Sequence, residues 1–204
     1  MSKVLLPLYY LPSVSWFVHF FSSPEVVIES CESFVKSTAR NRCCIAGAGG
    51  KLMLSIPVEG GRDHHQLYRK TKISHHENWQ KKHWHSIASA YSSTPFYEYY
   101  VQTLEPFYSN KHESLFDFNL QLLNVLLQLL KCDKQFELTT DFQRQPEQVT
   151  DLRYSIITNK ALPRYYQIFE DRNGFIADLS IVDLLFHLGP DAKSYLLNTI
   201  QKCS

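Results

Sequence analysis

The stretch from Val4 to Glu29 restricts the fold more than any other part of the chain. Val4–Tyr10 has the apolar run of a buried strand, and Pro12 suits the first turn of an aromatic helix reaching Phe21. Glu25–Glu29 (E-V-V-I-E) is a second short strand. Strand, helix, strand in that order favours a right-handed crossover with the two strands parallel. Pro7, Pro12 and His19 interrupt the apolar run, and no small-x-small cleavage site follows it closely. It is therefore read as neither a signal peptide nor a membrane span.

The remaining pattern fits one mixed α/β domain over residues 1–204, with a central sheet of short strands, packed helices and a helical C-terminus. Arg42–Ala46 and Lys51–Val58 flank Gly47-Ala48-Gly49-Gly50 as a hairpin with a four-residue loop. Gly60–Gln66 reads as exposed loop and Tyr68–Ser74 as a strand. Helices are expected over Glu77–Tyr91, Phe96–Tyr108 and Ser114–Lys131. In the last, Asp117, Gln121, Asn124, Gln128 and Lys131 form a single polar stripe at alternating spacings of four and three. Between them only Asn119 departs from Leu, Val or Phe, so the helix has a wide buried face. Asp141–Asp151 is polar and linker-like, and Arg153–Thr158 and Tyr165–Phe169 read as strands. Two closing helices, Ile181–Leu188 and Ala192–Ile200, meet at Gly189-Pro190, a helix stop.

Composition excludes some classes of function. With 21 Lys+Arg against 20 Asp+Glu, no pervasive positive field exists to hold a nucleic-acid backbone. Five cysteines, an odd number without C-x-x-C spacing, make a poor disulfide framework and fit reduced thiols in a cytoplasmic protein.

The candidate chemistry starts at Lys36, Arg40, Asn41 and Arg42. If Arg40 and Arg42 lie in extended backbone, both guanidiniums share one face and suit a carboxylate, phosphate or sulfate. The competing reading is a half-exposed strand whose cations pair with Glu29 and Glu32. Trp79, His83, Ile87 and Tyr91 recur every four residues, one stripe on a helix. His83 is then either a satisfied core histidine or a proton-transfer group tuned by burial beside an anion at Arg42. Tyr166 and Gln167 offer a phenol and an amide beside Arg164, suited to sugar hydroxyls or to a strand with one buried Tyr. Ser180 and Asp183 fit a capping box, with Asp183 reaching back to Ser180. Of the adjacent Cys43 and Cys44, one faces inward and one outward, near Arg42. The paired histidines His64/His65, His75/His76 and His83/His85 have no metal-ligand spacing, so neither metal nor cofactor is assigned.

The ordered blocks R-N-R-C-C-I, L-S-I-P-V, W-Q-K-K-H-W, Y-S-S-T-P-F-Y-E-Y-Y, F-D-F-N, Y-Y-Q-I-F and L-S-I-V-D-L-L-F-H-L-G-P resemble the WbqC-like family between about Arg40 and Pro190. That family is bacterial and occurs in gene clusters for O-antigen and other surface polysaccharides. The resemblance implies a setting in amino-sugar or polysaccharide biosynthesis. It also favours a functional reading of Asn41-Arg42 and of His83. Many members begin Q-P-x-Y-x-P, where this chain has P-L-Y-Y-L-P from Pro7 to Pro12, so the Gln is lost. Longer members also insert residues where this chain has only the polar stretch around Pro146. The expectation is a transferase acting on an activated amino sugar, a small-molecule substrate of the nucleotide-linked kind. Arg40, Arg42, Lys36 and Asn41 would hold its anionic part. His83 would move the proton, and Trp79, Tyr91, Tyr166 and Gln167 would line the substrate. The alternative is a non-catalytic accessory protein that binds the ligand or a biosynthetic enzyme.

Overall fold

In the computed structural model, which describes residues 3–60, 66–154 and 162–203, β1 (Lys3–Pro7), α1 (Val14–Ser22) and β2 (Val26–Glu29) form the expected crossover. β1 and β2 are parallel, with Val4 beside Val26 and Leu6 beside Ile28. Alternation along both strands sends those four side chains into the main core. There they meet Trp16, Phe17 and Phe20 of α1. The Trp16 indole N–H donates to the Pro7 carbonyl at 2.9 Å, tying the helix to the strand that precedes it. Pro12 lies one residue before the cap rather than inside the helix, and Ser13 is the N-cap, accepting from Trp16 N.

The hairpin β3 (Arg42–Gly47) and β4 (Gly50–Ser55) forms a separate two-stranded sheet. Gly47 pairs with Gly50, so the turn is the two-residue Ala48-Gly49 rather than a four-residue loop. Tyr68–Ser74 is not a strand. It is a 3₁₀ turn, Tyr68–Lys70, followed by single bridges from Lys72 to Ser114 and from Ile73 to Val58.

α2 (Trp79–Tyr91) follows, and the expected Phe96–Tyr108 helix is split into α3 (Tyr97–Leu104) and α4 (Pro106–Ser109). Pro106 brings no N–H to the preceding turn and starts a new helix instead. α5 (Leu115–Leu129) keeps its predicted asymmetry. Asp117, Gln121, Asn124 and Gln128 are exposed, while Leu122, Leu123, Leu126 and Leu127 are buried. Ser114 Oγ caps it by accepting from Asp117 N at 3.1 Å. Asn119, the exception on the apolar face, is buried and donates to the Arg40 carbonyl and the Tyr68 hydroxyl.

Two strands complete the parallel sheet in the order β5-β2-β1-β6: β5 (Glu137–Leu138) and β6 (Val149–Asp151). The second corrects the linker reading of Asp141–Asp151, because its last three residues pair with Lys3–Leu5 of β1. At the strand ends, Glu29 and Asp151 clamp the buried Arg153 guanidinium, whose Nη1 lies 2.8 Å from Glu29 Oε2.

Tyr165–Phe169 is also not a strand, and of Arg153–Thr158 only Arg153 and Tyr154 lie within the described residues. Gly60–Gln66 likewise falls mostly outside them. After the single turn α6 (Glu170–Asn173) come α7 (Ile181–Leu188) and α8 (Ala192–Cys203), close to expectation. Gly189 ends α7 at φ +54°, and a Cβ there would meet the Phe96 ring at 2.4 Å, so no other residue fits. Among the described residues no helix is long and apolar enough to cross a membrane.

Candidate functional site

Three chain segments meet beyond the carboxyl end of β1 and enclose a cleft of about 310 Å³. They are Tyr9–Ser13 leaving β1, Ser37–Ala39 entering β3, and Asp178–Ser180 entering α7. Arg42 and Cys44 of β3, with Lys51 and Met53 of β4, supply the remaining wall. Backbone hydrogen bonds hold the segments together: Tyr10 N to Ala39 O, Val14 N to Leu179 O, Ser180 N to Cys44 O and Ile181 N to Pro12 O. In parallel sheets, ligand clefts lie outside the carboxyl ends of strands, where the strand order reverses. Here the chain runs from β1 outward through β2 to β5, then returns to the other side of β1 as β6. The cleft lies outside the carboxyl end of β1, one of the two strands at that reversal, and takes no residue from β6, the other.

Its backbone is unusual. Leu11 (φ +40°), Ser37 (φ +66°) and Asp178 (φ +57°) all line it, three of the five described non-glycine residues with positive φ. Each such residue costs about 1–2 kcal/mol, and strain of this kind gathers at ligand sites.

The charges in the cleft are open. Arg42 is half-buried, its Nε donates only to Ser55 Oγ at 3.4 Å, and it makes no ion pair among the described residues. Lys51, exposed, is likewise without a carboxylate partner among them. Register explains the pairing of these two cations. Arg42 lies opposite Ser55 and Ala46 opposite Lys51, so alternation puts Arg42, Cys44, Lys51 and Met53 on one face of the hairpin. Asp178 Oδ1 accepts the Ser15 N–H at 2.8 Å in the first turn of α1, where the helix dipole favours an anion. The Cys44 thiol lies 3.7 Å from Met53 Sδ, while Cys43 faces the core and burial pushes its thiol well up.

Arg40 does not share this face. It precedes β3, where the Ser37–Asn41 turn replaces extended backbone, and its side chain turns inward to a two-point contact with buried Glu32. The loss of hydration holds the Glu32 carboxyl above its ordinary range despite Arg40. Arg40 does pair with Glu32, but from a buried turn rather than a half-exposed strand. Glu29 pairs with Arg153 instead, and Arg42 pairs with neither glutamate. Asn41 is also structural. Its Nδ2 donates to Ile56 O at 2.9 Å and its Oδ1 accepts from Ser37 N at 3.2 Å. Lys36 is exposed outside the cleft.

The α2 stripe forms as expected, with Trp79, His83, Ile87 and Tyr91 all buried. None of the four lines the cleft. His83 Nδ1 bonds the Tyr10 hydroxyl at 2.9 Å, which also reaches the Tyr108 hydroxyl at 2.9 Å. Loss of hydration lowers the His83 pKa to about 4, so the ring stays neutral. The Ser55 backbone, near the ring, opposes part of the effect of burial.

Tyr91 and Gln167 do meet, but around Asp183 rather than a ligand space. The Asp183 carboxylate accepts from the Tyr91 hydroxyl (2.9 Å), the Tyr165 hydroxyl (2.5 Å) and Gln167 Nε2 (3.1 Å). Asp183 does not reach back to Ser180 as a capping box requires, although Ser180 does cap α7 through Val182 N. Burial raises the Asp183 pKa against the pull of His187 and those donors. Tyr166 points outward, exposed. Sequence reasoning missed Tyr9, Lys51 and Asp178. Lys51 had a signal in the hairpin alternation, and Asp178 had none.

His75, His76 and His85 are exposed, and His64 and His65 lie outside the described residues. Among the described residues no three His, Cys, Asp or Glu side chains converge as a metal site.

Comparison with known proteins covers most of the cleft. The model of the WbqC-like protein family matches residues 8–167, which include Tyr9–Ser13 and the whole hairpin but stop short of Asp178. The uncharacterized protein Rv1507c of Mycobacterium tuberculosis is 24% identical over 217 residues, covering 92% of this chain and 94% of its own length. No solved structure matches the chain.

Proposed function

The chain belongs to the WbqC-like protein family, and from that premise we propose that it binds an anionic, activated amino sugar in the Arg42 cleft during bacterial surface-polysaccharide biosynthesis in the cytoplasm. The observation that carries this reading is the pair of cations, Arg42 and Lys51, held on one face of a rigid hairpin without a carboxylate partner among the described residues. A fork and a point charge on one wall suit a phosphate-bearing ligand.

Group transfer is the reaction we attach to this binding. When an amine of the bound sugar attacks the carbonyl carbon of a coenzyme A thioester, the amide C–N bond forms as the C–S bond breaks and the thiolate leaves. The proton lost by the amine goes to Asp178, the carboxylate in the cleft, and from there to the departing sulfur. His83 lies behind Tyr10, with its Nδ1 already engaged, so the proton-transfer role passes from His83 to Asp178. The same burial of His83 favours a second reading, an accessory protein that holds the ligand for a biosynthetic enzyme.

Thermal unfolding with a panel of nucleotide-linked sugars, coenzyme A thioesters and simple anions tests the proposal. A ligand at about 100-fold its Kd adds roughly 2.7 kcal/mol, a shift of about 5–10 °C for a chain of this size. The expected result is a shift with a nucleotide-linked sugar that Arg42→Ala abolishes while its own melting point stays within about 2 °C of wild type. A well-folded protein that no member of the panel stabilises sinks the reading. Asp178→Asn then separates the two forms, because an accessory protein keeps its full function in that variant and a transferase loses turnover.

A further inference from the structure

The buried Arg40–Glu32 pair calls for a role that stability does not supply. Glu32 is 2% exposed and Arg40 4%, and a desolvated pair of this kind contributes little net free energy compared with apolar residues of the same volume. What the pair holds is visible beside it. The Arg40 guanidinium lies over the Tyr9 ring, 5.9 Å from its centroid, and Tyr9 lines the cleft. The two-point contact with Glu32 fixes the guanidinium, and the guanidinium backs one face of the ring. Tyr9 is half-buried, and its hydroxyl makes no hydrogen bond among the described residues. It is thus a supported aromatic surface in the same cleft as Arg42, Lys51 and Asp178.

We infer that Tyr9 is the platform on which the nucleobase of a nucleoside diphosphate stacks, and that Arg40 and Glu32 are the positioning residues that stiffen it. The inference rests on the binding function proposed above and names the part of the ligand that gives it specificity. The cleft supplies matching chemistry for the two parts of such a molecule that recognition needs. Arg42 and Lys51 give cations for the phosphates, and Tyr9 offers a π-face for the base. A ring already fixed from below loses little conformational freedom when a base covers it.

The test is calorimetric titration of the full chain with uridine, guanosine, cytidine and thymidine diphosphates, glucose 1-phosphate and inorganic pyrophosphate. Wild type is expected to bind one nucleoside diphosphate at least tenfold more tightly than either pyrophosphate or the sugar phosphate. Tyr9→Leu is expected to erase that preference while leaving pyrophosphate affinity within twofold, and Tyr9→Phe to keep it. The double variant Arg40→Met/Glu32→Leu removes the pair without leaving an orphaned charge. It should lower the nucleotide-to-pyrophosphate ratio about threefold, a change that a purely structural role would not produce.

Equal binding of pyrophosphate and nucleotides by wild type overturns this inference and leaves the anion cleft standing. So does loss of both affinities together in Tyr9→Leu, or a preference for the sugar phosphate. Binding of neither class by a folded wild type overturns the cleft reading itself, and this inference with it.

Discussion

The cleft at Arg42 and the buried cluster at Asp183 are assembled from similar side chains and finished differently. Around Asp183, Tyr91 and Tyr165 give their hydroxyl hydrogens to one carboxylate, Gln167 divides its amide hydrogens between that carboxylate and its neighbours, Ile176 O among them, and His187 is bonded at both ring nitrogens. His83 is likewise engaged, its Nδ1 bonded to the buried Tyr10 hydroxyl. At the cleft the accounts stay open: two cations lack carboxylates among the described residues, and a carboxylate uses one oxygen on a helix end. Strain follows the same division, since Leu11, Ser37 and Asp178 adopt left-handed backbone there. Residue type therefore says little about which cluster meets a ligand. Unfilled hydrogen-bonding capacity says much more.

The largest effect expected from this contrast belongs to the closed cluster. Asp183→Ala orphans two buried hydroxyl donors, Tyr91 and Tyr165, each worth about 1–3 kcal/mol, and leaves Gln167 only its bonds to Ile176 O and Tyr165, partly offset by removing a carboxylate that burial disfavours. Urea unfolding should show a loss of about 3–5 kcal/mol, with affinity at the cleft unchanged within twofold. A loss below about 1 kcal/mol would mean that water reaches those groups and that the cluster is a site after all.

The next effect is a pH dependence. His83 has a pKa of about 4 in the folded chain against an ordinary 6.5. Its stabilising effect is complete above pH 6.5 and declines as pH falls toward 4, because the unfolded chain takes a proton that the folded one refuses. Between pH 7 and pH 5 the decline amounts to about 2 kcal/mol. The difference between wild type and His83→Gln, measured by denaturant at both values, isolates it from the carboxylates. No difference in slope would show the imidazole protonating in the native state, and would return it to the list of proton-transfer groups.

How far the sequence disclosed this division depended on whether a feature was local. The polar stripe of α5 and the β1–α1–β2 crossover follow from periodicity within one element, and both form. β6 does not announce itself. Three residues, Val149–Asp151, carry no pattern, and β1 recruits them by offering an open edge. Two guanidiniums share one face only if the backbone is extended at both Arg40 and Arg42. The turn closed by Asn41 on Ser37 ended the strand at Arg42 and rotated Arg40 into the core. Lys51 was within reach of the hairpin register, whereas Asp178 arrives from more than a hundred residues away through contacts that no local pattern encodes.

The smallest predicted effect is the most direct probe of why the cleft is strained. Ser37→Gly keeps the N–H bonded to Asn41 Oδ1 and removes the Cβ that left-handed backbone disfavours. Relief of about 1–2 kcal/mol is reduced by the greater freedom of glycine in the unfolded chain, about 0.4–1 kcal/mol, leaving a net gain near 0.5 kcal/mol. Lys131→Gly is the matched control, since Lys131 is also left-handed (φ +51°) but ends α5 away from the cleft. Both variants should melt slightly higher than wild type. Only Ser37→Gly should weaken ligand binding, by a few-fold, because glycine opens further backbone conformations to the Ser37–Ala39 wall that a serine cannot reach. Equal affinities in the two variants would show that the positive φ values near Arg42 are a by-product of packing three segments together, and the cleft would then rest on its open charges alone.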